Sequence, residues 1–333
     1  MAVAVDRTLC LNENYKRAAC RRCAEACPAG CFDAGLAVDA ARCTDCGLCL
    51  AACPADAVTG EGFPRAPLDS AFADPAAPLA LACRRRRDDS PWPCLGFLDG
   101  RLLLALVLSG EAGARRVAVD DSACAACRPE VAACLAATLA EADRLLLSAG
   151  KPPLARGEGA REKPISRRAF FAALMGAAVD TVREVAAAGT AGAERLPRQE
   201  WFVRYAGPAD FAGETPSPFF TALAIGDACL ACGLCIKLCP HGALTAQDYG
   251  IALDFYHHPG RCTGCGLCAV HCPQQALTVT APGRPGTYHV ARRELPRCRD
   301  CGQLYQPVGR QPICIECLLK SKTSDLLPDN TGG

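Results

Sequence analysis

The chain has 333 residues, 36 basic groups against 35 acidic ones for a net charge of +1, and 26 cysteines. Cysteine at roughly 8 per cent is the level at which composition points to a covalent or metal-built scaffold, which excludes an ordinary enzyme fold. The opening MAVAVDRTLC has neither a basic nor an apolar leader segment, and the longest clean apolar run is residues 102–108. We therefore expect reduced, metal-ligating thiols in a cytoplasmic protein with no membrane span, and not disulfides.

Two cysteine runs open the chain, CRRCAEACP at residues 20–28 and CTDCGLCLAACP at 43–54. The second has near copies further on, CLACGLCIKLCP at 229–240 and CTGCGLCAVHCP at 262–273, and the three continue into the matching tails ADAVT, HGALT and QQALT. This C-x2-C-x2-C-x3-C-P repeat resembles the bacterial ferredoxins that carry two [4Fe-4S] clusters. The resemblance implies that three thiolates wrap one cube while the fourth, turned away by the proline, reaches the neighbouring cube, so that runs work in pairs. Cys229, Cys232 and Cys235 would share a cube with Cys272, and Cys262, Cys265 and Cys268 another with Cys239. Structural zinc is the competing occupant, but it needs neither the crossed ligand nor the proline.

The amino-terminal module, residues 1–62, departs from the pattern, because Arg17 stands where its first thiol would fall. Cys27 can complete the cube of Cys43, Cys46 and Cys49, leaving Cys20, Cys23 and Cys53 one ligand short. Cys10 and Cys31 are the candidates. Cys31 aligns with Ala57, Ala243 and Ala276 in the tails, where a small packing residue suffices, so Cys10 is preferred. A three-iron cluster or an empty site is the remaining outcome.

Residues 76–150 read as a small α/β domain with parallel strands. The β-type runs PLALAC and RRVAVDD alternate with helices over 99–109, capped by Asp99 and stopped by Gly110, and over 129–148, with Pro129 in the first turn. Cys83, Cys94, Cys124 and Cys127 fall near strand ends, where side chains can converge into a metal or [2Fe-2S] site; buried inert thiols are the alternative. Residues 78–150 resemble, on no full motif, the small iron–sulfur subunits that relay electrons between hydrogenases and flavin disulfide reductases. Cys134 shares a helix with Val131, Leu135 and Leu139 and is expected to pack.

Residues 151–220 read as a linker carrying an amphipathic helix over 166–188. Its start resembles a twin-arginine export signal, but it lies behind 165 residues, so a linker helix, or a peripheral membrane or partner contact, is expected instead. The aromatics Trp201, Phe202, Tyr205, Phe211, Phe219 and Phe220 stand in an irregular Pro/Gly-rich stretch and are expected to pack at a domain seam.

The second ferredoxin-like module spans 221–283, with His241 and His271 flanking cluster cysteines. Residues 291–325 then carry Cys298-x2-Cys301 and Cys314-x2-Cys317. Two such knuckles resemble a zinc ribbon or a rubredoxin-like site and imply one tetrahedral zinc or single iron, without which the segment should not fold. No dinucleotide fingerprint, phosphate loop or nucleophile triad is present, so no catalytic residue is expected.

The expected fold is α+β multidomain: two ferredoxin-like 2[4Fe-4S] modules flanking a small α/β domain, plus a C-terminal zinc ribbon. The expected function is relay of single electrons through three to four [4Fe-4S] clusters. By resemblance the redox partner would be a hydrogenase, a formate or other molybdopterin oxidoreductase, or a flavin reductase. The competing class is an assembly or docking factor with structural or transferable clusters. Nucleic acid is disfavoured despite Arg284, Arg292, Arg293, Arg297 and Arg299, because four cubes and a zinc with their thiolates carry the loaded chain to about −9.

Overall fold

The computed structural model describes residues 3–60, 65–157, 198–207, 209, 211, 215–307 and 311–324. The helix expected over 166–188 lies outside them. The chain divides into two compact units, Met1–Asp6 with Arg21–Phe211, and Arg7–Cys20 with Ala212–Gly333. Among the described residues no helix is long and apolar enough to cross a membrane.

In the first unit, strands β1 (Val3–Val5) and β2 (Val58–Gly60) pair antiparallel, Val5 opposite Val58, and bracket the first two cysteine runs. The parallel strands β3 (Leu79–Ala82), β4 (Val117–Asp120) and β5 (Ala155–Arg156) follow in that spatial order. Between β3 and β4 runs the helix Gly100–Leu108, in which every residue but Arg101 is buried. Asp99 caps it by accepting the Leu102 N–H at 2.9 Å, satisfying one of the donors that a helix start leaves unpaired. Helix Pro129–Ser148 returns the chain to β5 and buries Val131, Leu135, Leu139, Ala142, Leu145 and Leu146.

Cys134, expected to pack, is instead exposed. It flanks the Val131–Leu135–Leu139 stripe, and a rotation of 100° per residue carries it off the buried face.

The aromatic stretch also departs from expectation, since residues Arg198–Ala206 form a helix that buries Trp201 and Phe202. Trp201 and Tyr205 stack on Phe72, with centroids 4.4 and 5.3 Å away, and Arg65 lies 4.2 Å over the Trp201 ring. Flanking Pro and Gly hid a short helix whose stability comes from this packing more than from propensity.

In the second unit, β6 (Ala222–Ile225) and β9 (Leu277–Thr280) pair antiparallel and bracket the last two ferredoxin-like runs, as β1 and β2 bracket the first two. Between them, β7 (Leu244–Asp248) and β8 (Ala252–His257) form a hairpin, and β10 (Tyr288–Glu294) adds to β8, giving the order β10-β8-β7. A core of Leu223, Ile225, Leu244, Leu253, Phe255 and Leu277 lies beneath these strands. The C-terminal segment folds through the Arg297–Leu304 bridge and the helix Ile315–Ser324.

Candidate metal and cluster sites

The cysteine runs repeat one backbone course. In each complete copy the residue before the second thiol has positive φ (Asp45 51°, Ala231 57°, Gly264 66°), as does the glycine after it (Gly47 82°, Gly233 69°, Gly266 77°). A left-handed pair of this kind curls the chain so that thiols two residues apart face one point, and glycine takes the second position at no steric cost. A short helical turn then carries the third thiol. The tail turns back through another left-handed residue, Asp56, Gly242 or Gln275, and the next residue donates its N–H to the fourth thiol. Ala57 reaches Cys53 Sγ at 3.2 Å, Ala243 reaches Cys239 at 3.2 Å and Ala276 reaches Cys272 at 3.3 Å.

The degenerate first run keeps only the second half of this course. Gly30 has φ 54°, and Cys31 donates its N–H to Cys27 Sγ at 3.5 Å, as the tail alanines do for theirs. Arg21, where the other copies have glycine, has φ −127°.

Two recesses in the second module gather the thiols. One, of about 320 Å³, is walled by Cys229, Cys232, Cys235 and Cys272, with Phe255 and Leu277. The other, of about 360 Å³, is walled by Cys239, Cys262, Cys265 and Cys268, with Leu244 and His257. Burial, then the neighbouring thiols Cys229, Cys232 and Cys272, pushes Cys235 up to about 12. Burial, then Cys262, Cys265, Cys235 and Cys239, pushes Cys268 up to about 12. Thiolates packed this closely repel one another, and a bound cationic metal core relieves that repulsion, so the residues present fit such a group.

In the first unit, burial and then Cys46, Cys27, Cys43 and Cys31 raise Cys49, so these five thiols face one place. The Cys27 and Cys31 sulfurs are 3.4 Å apart. Burial and Cys27 push Cys31 up to about 12; for Cys27, desolvation is outweighed by the N–H groups of Cys31, Ala29 and Gly30, which hold it low. Cys31 thus stands beside Cys27. In the Arg7–Cys20 segment, which belongs to the second unit, Cys10 is buried and heads the helical turn Leu11–Asn14, and Asn12 in that turn holds Cys20 by two hydrogen bonds of 2.8 and 2.9 Å. Cys23 is buried and Cys53 half-buried.

The middle cysteines also converge. Burial, then Cys83, Cys94, Asp121 and Cys127, pushes Cys124 up to about 11. Cys94 is raised by burial and by Cys46 and Cys83, against the pull of Arg128. Arg128 donates to Thr44 Oγ1 at 3.1 Å, and a Cβ on Gly96 would stand 2.2 Å from the Cys46 carbonyl oxygen. This four-thiol group therefore abuts the 43–46 loop.

Towards the C-terminus, Cys298, Cys301, Cys314 and Cys317 have their sulfurs within 4.8 Å of one another. The 3.8 Å between Cys301 and Cys314 equals the edge of a tetrahedron with bonds of about 2.3 Å, which fits one zinc. Desolvation raises Cys298, but the N–H groups of Cys314, Cys301 and Asp300 outweigh it and hold the thiol down at about 6. Of the arginines near this segment, Arg292 pairs with Asp254 at 3.1 Å, Arg293 with Asp227 at 3.2 Å and Arg299 with Asp300 at 3.0 Å.

Two residues escaped the sequence reasoning. Arg198 is largely buried and pairs with Asp56 at 2.6 Å and Asp99 at 2.8 Å, while donating to the Leu50 carbonyl oxygen. Burial lowers its pKa, but the two carboxylates and nearby Cys53 overcome this and raise it. It ties the helix Arg198–Ala206 to the tail turn of the 43–54 run, and no local pattern announces it. His257 is the other. Its signal was present, a polar residue on the inward phase set by Leu253 and Phe255.

Residues 36–59, 225–245 and 255–278 match the family model of the 4Fe-4S binding domain; the first cysteine run lies outside these segments. No curated protein matches the chain. The three segments, with the cysteine geometry above, make this a metal-binding iron–sulfur protein with ferredoxin-type 4Fe-4S segments.

Proposed function

We propose that the chain is a polyferredoxin-type relay passing single electrons to or from a partner oxidoreductase. The observation carrying this reading is the pair of recesses in 221–283, each walled by three thiols of one run and the fourth thiol of the other. Four [4Fe-4S] cubes are assigned: Cys229, Cys232, Cys235 with Cys272; Cys262, Cys265, Cys268 with Cys239; Cys43, Cys46, Cys49 with Cys27; and Cys20, Cys23, Cys53 with Cys10. Each cube, when bound, takes up one electron inside a fixed thiolate cage. The chain's own residues hold that cage. The tail N–H groups of Ala57, Ala243 and Ala276 stabilise sulfur charge, and the apolar walls keep water out.

A [2Fe-2S] cluster is assigned to Cys83, Cys94, Cys124 and Cys127. Its support is their convergence beside Cys46. Zinc is assigned to Cys298, Cys301, Cys314 and Cys317, supported by the tetrahedral spacing. The partner is a hydrogenase, a molybdopterin oxidoreductase or a flavin reductase, reached in the cytoplasm.

Metal and sulfide analysis of anaerobically purified protein tests this reading. About 18 iron, 18 sulfide and one zinc per chain are expected for four cubes, one [2Fe-2S] cluster and a ribbon. Cys232→Ser and Cys265→Ser should each remove about four iron and interrupt transfer. Zinc in place of iron, or unchanged transfer in both variants, would overturn the relay in favour of a docking or assembly role.

A further inference from the structure

The two recesses of the second module differ in what strand β8 places against them. Residues Leu253, Phe255 and His257 share its inward face, because alternate strand residues point the same way. Phe255, with no exposed surface, walls the Cys229/Cys232/Cys235/Cys272 recess. His257, 1% exposed, walls the Cys239/Cys262/Cys265/Cys268 recess. Its Nε2 is buried and has no hydrogen-bond partner among the described residues.

An unpartnered buried imidazole nitrogen is costly, since it forfeits its bonds to water and gains none in the protein. Among the residues around it, Leu223, Leu244, Leu267 and Val279 offer no side-chain acceptor, the Thr263 hydroxyl serves the Cys265 thiol, and the thiols are committed to the recess itself. His241 and Arg261 line the same recess, but one is half-buried and the other exposed, so water weakens their effect. The group that would give Nε2 a partner is an anionic, sulfur-rich occupant of the recess.

We propose that the neutral His257 ring donates Nε2–H to sulfur of the cube held by Cys239, Cys262, Cys265 and Cys268, making it the more easily reduced of the module's two cubes. This rests on the ligand assignment above. One-electron reduction adds negative charge to the cube, and an N–H donor in a dry site stabilises the reduced form more than the oxidised one. The sibling cube, under Phe255, has no such donor from β8. An electron entering the module therefore settles at the His257 side, which gives the pair a direction.

Redox titration of the full-length loaded protein, followed by the paramagnetic signals of the reduced cubes, tests this. His257→Phe copies into one recess the ring that β8 places against the other. Iron content should be unchanged while one midpoint falls, the cube becoming about tenfold harder to reduce, or roughly 59 mV for one electron. His257→Gln keeps an N–H donor and should restore most of the shift. Midpoints that stay in place in His257→Phe at unchanged iron would overturn the proposal. Should that variant not fold, wild-type protein labelled with 15N-histidine replaces it, and absence of any histidine nitrogen coupling to the reduced cubes refutes the hydrogen bond. Iron that does not drop in the Cys265→Ser variant would instead fail the ligand assignment, a separate result.

Discussion

The second ferredoxin-like module and the amino-terminal one are built on the same closure, first strand against last, yet they are supported differently. In the second, both quartets come from the 229–272 stretch, and the β7–β8 hairpin covers them. In the first, one run lacks its leading thiol, and the place of the hairpin is taken by a single Phe32–Val38 bridge. Its bracing comes from distant sequence: Arg198 clamps the tail turn at Asp56, and Gly96 and Arg128 press on the 43–46 loop. A module short of internal support is steadied by its neighbours in the fold. Those neighbours include a second thiol group, so the bracing also brings two sulfur-rich sites together.

The largest test of this contrast is Arg198→Met. It leaves the carboxylates of Asp56 and Asp99 half-buried without their cation, and should cost the first unit about 3–5 kcal/mol, read as a fall in its urea midpoint. The cluster signals of the second module should not change; a loss shared by both modules would show that the bracing is not local. Next come two glycines, one in each unit. Alanine at Gly96 would collide with the Cys46 carbonyl oxygen, and alanine at Gly283 with the Thr221 backbone carbonyl carbon, both at 2.2 Å. Each should cost about 1–3 kcal/mol. Spectra of the loaded variants should show Gly96→Ala perturbing clusters of the first unit alone and Gly283→Ala the second module alone.

The finest test separates Cys10 from Cys31. Cys31→Ala, which installs the residue found in the other tails, should leave the iron content intact. Cys10→Ser should lower it by one to four iron, giving a three-iron cluster or an empty site. The reverse pattern would make Cys31 the ligand.

Much of the candidate chemistry was legible because cluster binding is written in short-range spacing. The C-x2-C-x2-C runs, their prolines and their tails set left-handed turns that any copy of the motif must adopt, so thiol placement within a run is a local property. The Asp99 cap and Pro129 start were legible for the same reason. Cys134 was misjudged because helical phase near the edge of a stripe is decided by what packs on it, and the helix Arg198–Ala206 was hidden because Phe72, more than a hundred residues earlier, completes its core.

The sequence by itself determined which thiols form a run and that two C-x2-C knuckles stand close together at Cys298–Cys301 and Cys314–Cys317, since both are matters of short-range spacing. Only the tertiary structure decided that Cys94 lies beside Cys46, that Arg198 braces Asp56, and that β8 sets Phe255 against one recess and His257 against the other. Those contacts join residues far apart along the chain. They exist only once burial of the apolar strands and helices has fixed which distant faces meet.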